Sequence, residues 1–286
     1  MLTPKASAIA RASRNAAALL REAPYSKPGH FYSPLSSAQD SARAMRWGKM
    51  TDLPGVDLRC EEQLSLADEL AQMWEQLPMR DGRYQPENDQ YGVADAAMLH
   101  AMLRKHRPKR ILEVGSGHST AVMLDTVERF GVDAQITCVE PHPERLLSTL
   151  RPGDRERVVL HTTIAQDVPV KQFCSLRAGD LLFIDSTHVV KPGSDVVWLF
   201  LHVLPALAPG VLVHVHDIFW PFEYPEVWLQ QRRDWTELYL LRATLSGTSM
   251  WQIEMFSSWL WNQHPEVIPA HLREPGPSNI WLRKLR

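Results

Sequence analysis

From Arg110 onward, short unbroken apolar runs alternate with amphipathic stretches, and this alternation constrains the fold more than any other feature of the chain. The runs are "RILEVG" (110–115), "QITCVE" (135–140), "RVVLHT" (157–162), "DLLFID" (180–185) and "GVLVHVH" (210–216). Helices fit between them at 119–130, 143–150, 168–177 and 194–207. Strands apolar on both faces and separated by helices predict an α/β fold, a parallel sheet covered on both sides. Right-handed crossovers bring the carboxyl ends of such strands to one edge, where ligands of open α/β sheets bind. Gly115, Glu140, Asp185 and Asp217 each end a different run, so all four are expected at one crevice.

Two further strands are predicted at "WQIEMF" (251–256) and "NIWLRK" (279–284), after a helical stretch over 225–245. Upstream, residues 61–77 and 94–106 have helical spacing, and residues 1–50 read as irregular. The expected division is an N-terminal extension over 1–89, serving as substrate wall or dimer contact, and a main domain over 90–286.

The formal net charge of −2 supplies no basic field for nucleic acid or an anionic membrane surface. Cys60, Cys138 and Cys174 are far apart and form no C-x-x-C pair, as expected of reduced thiols in a cytoplasmic protein. The most apolar stretch, 196–213, is interrupted by His202, Pro205 and Pro209 and does not suit a bilayer span. The first 24 residues carry Lys5, Arg11, Arg14 and Arg21 before any acid, a pattern shared by transit peptides and Ala-rich docking helices. The docking helix is the expected reading, without cleavage, and a homo-oligomer stays open.

"EVGSGHST" follows the first strand and opens a helix. Gly115 and Gly117 allow backbone to approach a ligand closely, while Ser116 and Ser119 add hydroxyls. A dinucleotide fingerprint needs a third glycine where this chain has Thr120. Glu113, before the turn, suits a cationic amino-acid cofactor better than pyrophosphate. Glu140, at the next strand tip, can take both hydroxyls of a ribose.

On "ILEVGSGHST", "CVEPHPE" and "LLFIDSTH" the chain resembles the class I S-adenosylmethionine-dependent methyltransferases over roughly residues 90–286. The resemblance implies a Rossmann-like seven-stranded, mostly parallel sheet, with "NIWLRK" as an antiparallel last strand beside the fifth. It implies that Gly115, Ser116 and Gly117 underlie the methionine and ribose, that Glu140 holds the ribose, and that Asp167 reaches adenine. Tyr91 would cover the methionine moiety, and Asp185 would border the cofactor.

"DSTH" sets Asp185 and His188 in D-x-x-H spacing, and "VHVHD" ends the neighbouring strand with His216 and Asp217. Together they resemble the metal-dependent O-methyltransferases of natural products. That resemblance implies a divalent cation on Asp185, His216 and Asp217, with His188 as base. His216 replaces the first acid of that pattern, which makes Mn²⁺, Fe²⁺ or Zn²⁺ as suitable as Mg²⁺ and leaves a metal-free site open. Lys191 is a second candidate base or a charge clamp, and His214 reads as a supporting or core histidine. The aromatic loops "DIFWPFEYPEVW" and the segment with Trp259, Trp261, His264 and His271 are expected to wall a large, partly apolar small-molecule acceptor. The competing readings are a two-histidine, one-carboxylate oxygenase built on "HVHD" and a non-catalytic adenosylmethionine-binding protein. A nicotinamide-binding oxidoreductase is disfavoured by Thr120.

Overall fold

A computed structural model describes residues 25–78, 81–273 and 275–286; the reading of residues 1–24 lies outside them. The strands are β1 (Arg110–Val114), β2 (Gln135–Val139), β3 (Val158–His161), β4 (Leu181–Ile184), β5 (Leu212–His216), β6 (Trp251–Phe256) and β7 (Asn279–Lys284). They form one sheet in the order β3-β2-β1-β4-β5-β7-β6. All pairings from β3 to β5 are parallel, while β7 is antiparallel to both β5 and β6. This is the expected seven-stranded Rossmann-like sheet with its antiparallel strand inserted beside the fifth.

In chain order the helices are α1 (Ala38–Trp47), α2 (Cys60–Trp74), α3 (Val93–His106), α4 (His118–Phe130), α5 (Glu144–Thr149), α6 (Val170–Phe173), α7 (Asp195–Trp198), α8 (Glu226–Gln230), α9 (Glu237–Leu245) and α10 (Ser257–Gln263). Three expectations need correction. Residues 1–50 are not wholly irregular, because Ser37 and Asp40 exchange backbone-to-side-chain hydrogen bonds of 3.1 and 2.8 Å and start α1. The single helix expected at 194–207 is α7 followed by a π turn and a 3₁₀ turn, where Pro205 cannot donate to the ladder. The helical stretch 225–245 is two helices, separated by Arg232 and Asp234 at positive φ.

The chain divides into two compact units. Residues 25–46 with Glu226–Asp234 form the smaller one, where Ser36 N–H donates to Asp234 and Ser41 Oγ donates to the Leu229 carbonyl. The larger unit runs over Trp47–Pro225 and Trp235–Arg286 and contains the whole sheet. Within it α3 packs between α2 and α4, and every residue from Ala94 to Leu103 is buried. Among the described residues no helix is long and apolar enough to cross a membrane.

The loop ahead of α3 is pinned to α4 by charge. Arg83 is 6% exposed and donates to Asp125, Glu128 and Asp154 at 2.6–2.9 Å. Asp125 also accepts the backbone N–H groups of Arg83 and Tyr84. A buried guanidinium held this way is costly to disrupt, because the buried Asp125 and Asp154 would lose the charge that balances them. Further along the loop, Tyr84 Oη donates to the Tyr91 carbonyl at 2.8 Å, and Tyr91 N–H donates to Asn88 at 2.6 Å. The loop thereby delivers Tyr91 to the carboxyl edge of the sheet.

Candidate active site

Strand register explains why distant residues meet. Val114 pairs with Val139 on one side and Ile184 on the other, so the next residues, Gly115, Glu140 and Asp185, share an edge. Ile184 pairs with Val215, which sets Asp185 beside His216. Gly115 turns the chain out of β1 with φ +80°, and a Cβ there would lie 1.7 Å from the Asp185 carbonyl oxygen. Only glycine lets the two strand ends approach this closely. A Cβ on Gly117 would instead meet the flexible Arg145 side chain, at 2.7 Å from Cδ.

Below the turn, Glu113 is fully buried and accepts hydrogen bonds from Ser119 Oγ and Thr120 Oγ1, both at 2.6 Å, with Cys138 Sγ at 3.3 Å. Thr120 Oγ1 in turn accepts the Gly117 N–H at 3.1 Å. Glu113 therefore braces the turn from inside and does not line the crevice, contrary to the sequence expectation. Burial pushes its carboxyl up to about 7, against the three donors that favour the ion. An acid whose folded pKa is raised in this way holds its proton in the fold after the unfolded chain has lost it. Its contribution to stability is fully present below about 4.5 and lost as pH rises through about 7. Glu113→Gln should accordingly flatten the decline in urea-unfolding free energy between those pH values; an unaltered slope would show that Glu113 does not carry it.

A cavity of about 450 Å³ opens above the turn, within the range of small-molecule sites. Glu140 faces it, accepting the N–H groups of Ser116 at 3.1 Å and His142 at 2.8 Å. Several lining groups are buried without a hydrogen-bond partner among the described residues: Ser116 Oγ, Ser186 Oγ, His118 Nδ1, Tyr91 Oη and both His216 nitrogens. Native interiors leave few such atoms unpaired, and their concentration on one cavity is what a polar ligand would satisfy.

At the β4 and β5 end the charged groups converge. One donor atom each from Asp185, His216 and Asp217 lie within 4.8 Å of one another. His216 is sandwiched against Tyr91, with ring centroids 5.1 Å apart, and its Nε2 lies 3.6 Å from Asp95 Oδ1. His188 Nε2 lies 3.3 Å from Asp185 and 3.4 Å from Asp217, while Nδ1 lies 2.8 Å from Glu237. His188 and Asp217 both sit at positive φ, +60° and +56°. Strained non-glycine backbone of this kind concentrates where a side chain must point a particular way.

Burial disfavours charge on both histidines, but the carboxylates outweigh it. Asp185 and Glu237, with Asp217, push His188 up to about 10, and Asp185, Asp217 and Asp95 hold His216 well above the usual imidazole range. Burial would raise Asp185, yet His216 and His188 keep it well below the carboxylate range. Both imidazoles are thus held toward their protonated forms by the carboxylates around them.

Other expected residues lie elsewhere. Asp167 closes a 3₁₀ turn and does not line the cavity; its neighbours Ile164, Ala165 and Gln166 do. Lys191 is exposed and outside the cavity lining. His214 stacks on Phe183 at 4.0 Å and meets Trp281 edge-on, with burial driving its pKa far down, so it is a neutral core residue. The "HVHD" set for an oxygenase is therefore not assembled. No aromatic ring of either loop lines the cavity: Trp259 and Trp261 are buried, the latter against Trp74, and Phe222 packs on Phe256. The aromatic groups that do line it are Tyr91 and Trp235, whose ring lies 4.4 Å from that of His188. Sequence reasoning missed Asp95, Glu237 and Trp235. Asp95 sits in the first turn of a helix and Glu237 opens another, where an acid reads as favourable to the helix dipole.

Residues 112–218 match a family model described as a methyltransferase domain. The matched stretch runs from β1 to the residue after Asp217, so it takes in the cofactor-side strand ends described above. It is 30% identical over 132 residues to an uncharacterized protein of Archaeoglobus fulgidus, a match covering 42% of this chain and 60% of that one. The chain thus spans about 60% of the length of that curated relative. Similar solved structures include the methyltransferase PaMTH1 of Podospora anserina bound to S-adenosylhomocysteine (SAH), at 15% identity and a TM-score of 0.45 over 87% of this chain and 97% of that one. The O-methyltransferase TomG of Streptomyces achromogenes, in complex with S-adenosylmethionine (SAM), is 18% identical with a TM-score of 0.44 over 77% and 90%.

Proposed function

We propose that the protein transfers the methyl group of adenosylmethionine to an oxygen atom of a small-molecule acceptor, assisted by a divalent cation and by His188. The observation that carries this reading is the grouping of Asp185, His216 and Asp217 beside the cofactor turn, with both His216 nitrogens lacking hydrogen-bond partners. Two carboxylates and an imidazole suit a small divalent cation, and the imidazole admits Mn²⁺, Fe²⁺ or Zn²⁺ beside Mg²⁺. When bound, such a cation would lower the pKa of an acceptor hydroxyl.

Methyl transfer from a sulfonium is an in-line displacement, so the chain's main task is to hold two reactants in line. Gly115 to Gly117 and Glu140 would hold the cofactor, and Tyr91 would close the wall behind it. Trp235 offers a flat apolar surface next to His188, suited to an acceptor with a partly apolar body. His188 Nε2 faces the carboxylate pair; with a cation on Asp185 and Asp217 those acids would no longer hold a proton there, and Nε2 would be free to take the hydroxyl proton. The test is transfer of isotopically labelled methyl from adenosylmethionine into metabolite extracts, before and after chelation and after readdition of each metal. Label on an oxygen of an acceptor, lost on chelation and restored by a cation, is the expected result. Label on nitrogen or carbon, or transfer indifferent to chelation, would overturn the corresponding part of the reading.

A further inference from the structure

We infer that Glu237 is a positioning residue that fixes the ring of His188, tethering Nδ1 so that Nε2 faces the crevice. This rests on the reading of His188 as the group that takes the acceptor's proton. Glu237 is the first residue of α9 and is 0% exposed, with Oε2 2.8 Å from His188 Nδ1. The same helix start grips the backbone of the loop that carries His188. The N–H groups of Thr236 and Glu237 both donate to the His188 carbonyl, at 2.9 and 3.0 Å, and Thr236 Oγ1 accepts the Val190 N–H at 2.6 Å. Trp235, one residue earlier, covers the ring face. Three consecutive residues, 235–237, therefore hold one histidine whose own φ is +60°.

Packing alone does not explain a carboxylate there. The second oxygen of Glu237, Oε1, is buried without a hydrogen-bond partner among the described residues. A buried carboxyl with one oxygen unpaired costs more than the helix dipole returns, and an apolar side chain of similar size would avoid that cost. What a carboxylate supplies and a leucine cannot is an acceptor for the Nδ1 proton. With that proton engaged, Nε2 is left toward Asp185 and Asp217, and the imidazolium formed when it accepts a proton is stabilised by the charge behind it. Neighbouring second partners of this kind set which histidine nitrogen is available.

The test uses the full chain labelled with ¹⁵N-histidine and loaded with adenosylhomocysteine, so it needs no acceptor. A strongly hydrogen-bonded, downfield Nδ1 proton of His188 is expected in the parent protein and identified by its loss in His188→Asn. Glu237→Leu should abolish that signal while adenosylhomocysteine affinity is kept; Glu237→Gln, which retains an acceptor of the same shape, should shift it upfield. Should the leucine variant fail to fold, the glutamine variant alone decides. A ring spectrum unchanged by Glu237→Gln would overturn the tether. In the labelled-methyl assay on metabolite extracts, Glu237→Gln should slow transfer by about tenfold or more and have no further effect in a His188→Ala background. Equal slowing in both backgrounds would make Glu237 merely structural. If the parent protein transfers no label, the methyltransferase reading fails, and the ring spectra still decide the tether.

Discussion

Gly115→Ala should abolish measurable adenosylhomocysteine binding and destabilise the fold by about 2–5 kcal/mol, the sum of a left-handed backbone penalty and an overpacked contact. The added Cβ would lie 1.7 Å from a backbone oxygen of Asp185, and no side-chain rotation relieves a clash with main chain. The ends of β1 and β4 must separate, and Asp185 moves with them. Isothermal titration and urea unfolding read the two effects separately. Gly117→Ala is the internal contrast, since its Cβ meets only the flexible end of Arg145, and it should retain most stability. Equal behaviour of the two variants would mean that strand-end proximity is not what the first glycine provides.

Asp217→Asn should lose metal-dependent thermal stabilisation and slow methyl transfer by at least about a hundredfold, since even groups one shell further from a metal cost up to that factor. Asparagine tolerates the positive φ of this position and can still accept from Ser278 Oγ, which lies 3.1 Å away. Adenosylhomocysteine affinity should stay within about twofold, because Asp217 itself is not among the residues expected to hold the cofactor. His188→Asn should behave differently. It should keep the metal response, and its residual rate should climb with pH as the acceptor ionises unaided. Full activity in wild-type protein stripped of metal would remove the cation from the reaction and leave His188 as the assisting group.

The sheet was legible because its cause is local and repeated. The apolar runs at β1, β4 and β5 are buried parallel strands, with β2 and β3 beside them toward the edge, and each strand end carries a residue whose character changes abruptly. β6 and β7 have the limits expected from sequence, and β1 falls short by one residue because Gly115 has already left the strand. The candidate site was legible wherever a side chain sits at a strand tip, as with Glu140, Asp185, His216 and Asp217. It was illegible where a helix start reaches across from elsewhere in the chain. Asp95 and Glu237 stand in first helical turns, and the same acid there serves the helix dipole in any protein. Their proximity to His216 and His188 is a fact of packing that spacing does not encode. Glu113 erred in the opposite direction: it has the right place in the motif, but Ser119 and Thr120 turn it inward. The aromatic loops misled because a cluster of large rings reads the same in sequence whether it lines a cavity or fills a core.

The Arg83 anchor bears on how spent cofactor leaves. The wall that carries Tyr91 is fastened to α4 through Asp125 and Glu128, to the turn before β3 through Asp154, and to itself through Tyr84 and Asn88, so moving it would break a largely buried ion cluster. The opposite rim, at Pro141, His142 and Arg145, is exposed and held by no comparable network among the described residues. In the proposed reaction, exchange of the cofactor is therefore expected across the β2–α5 rim, with the Tyr91 wall held in place.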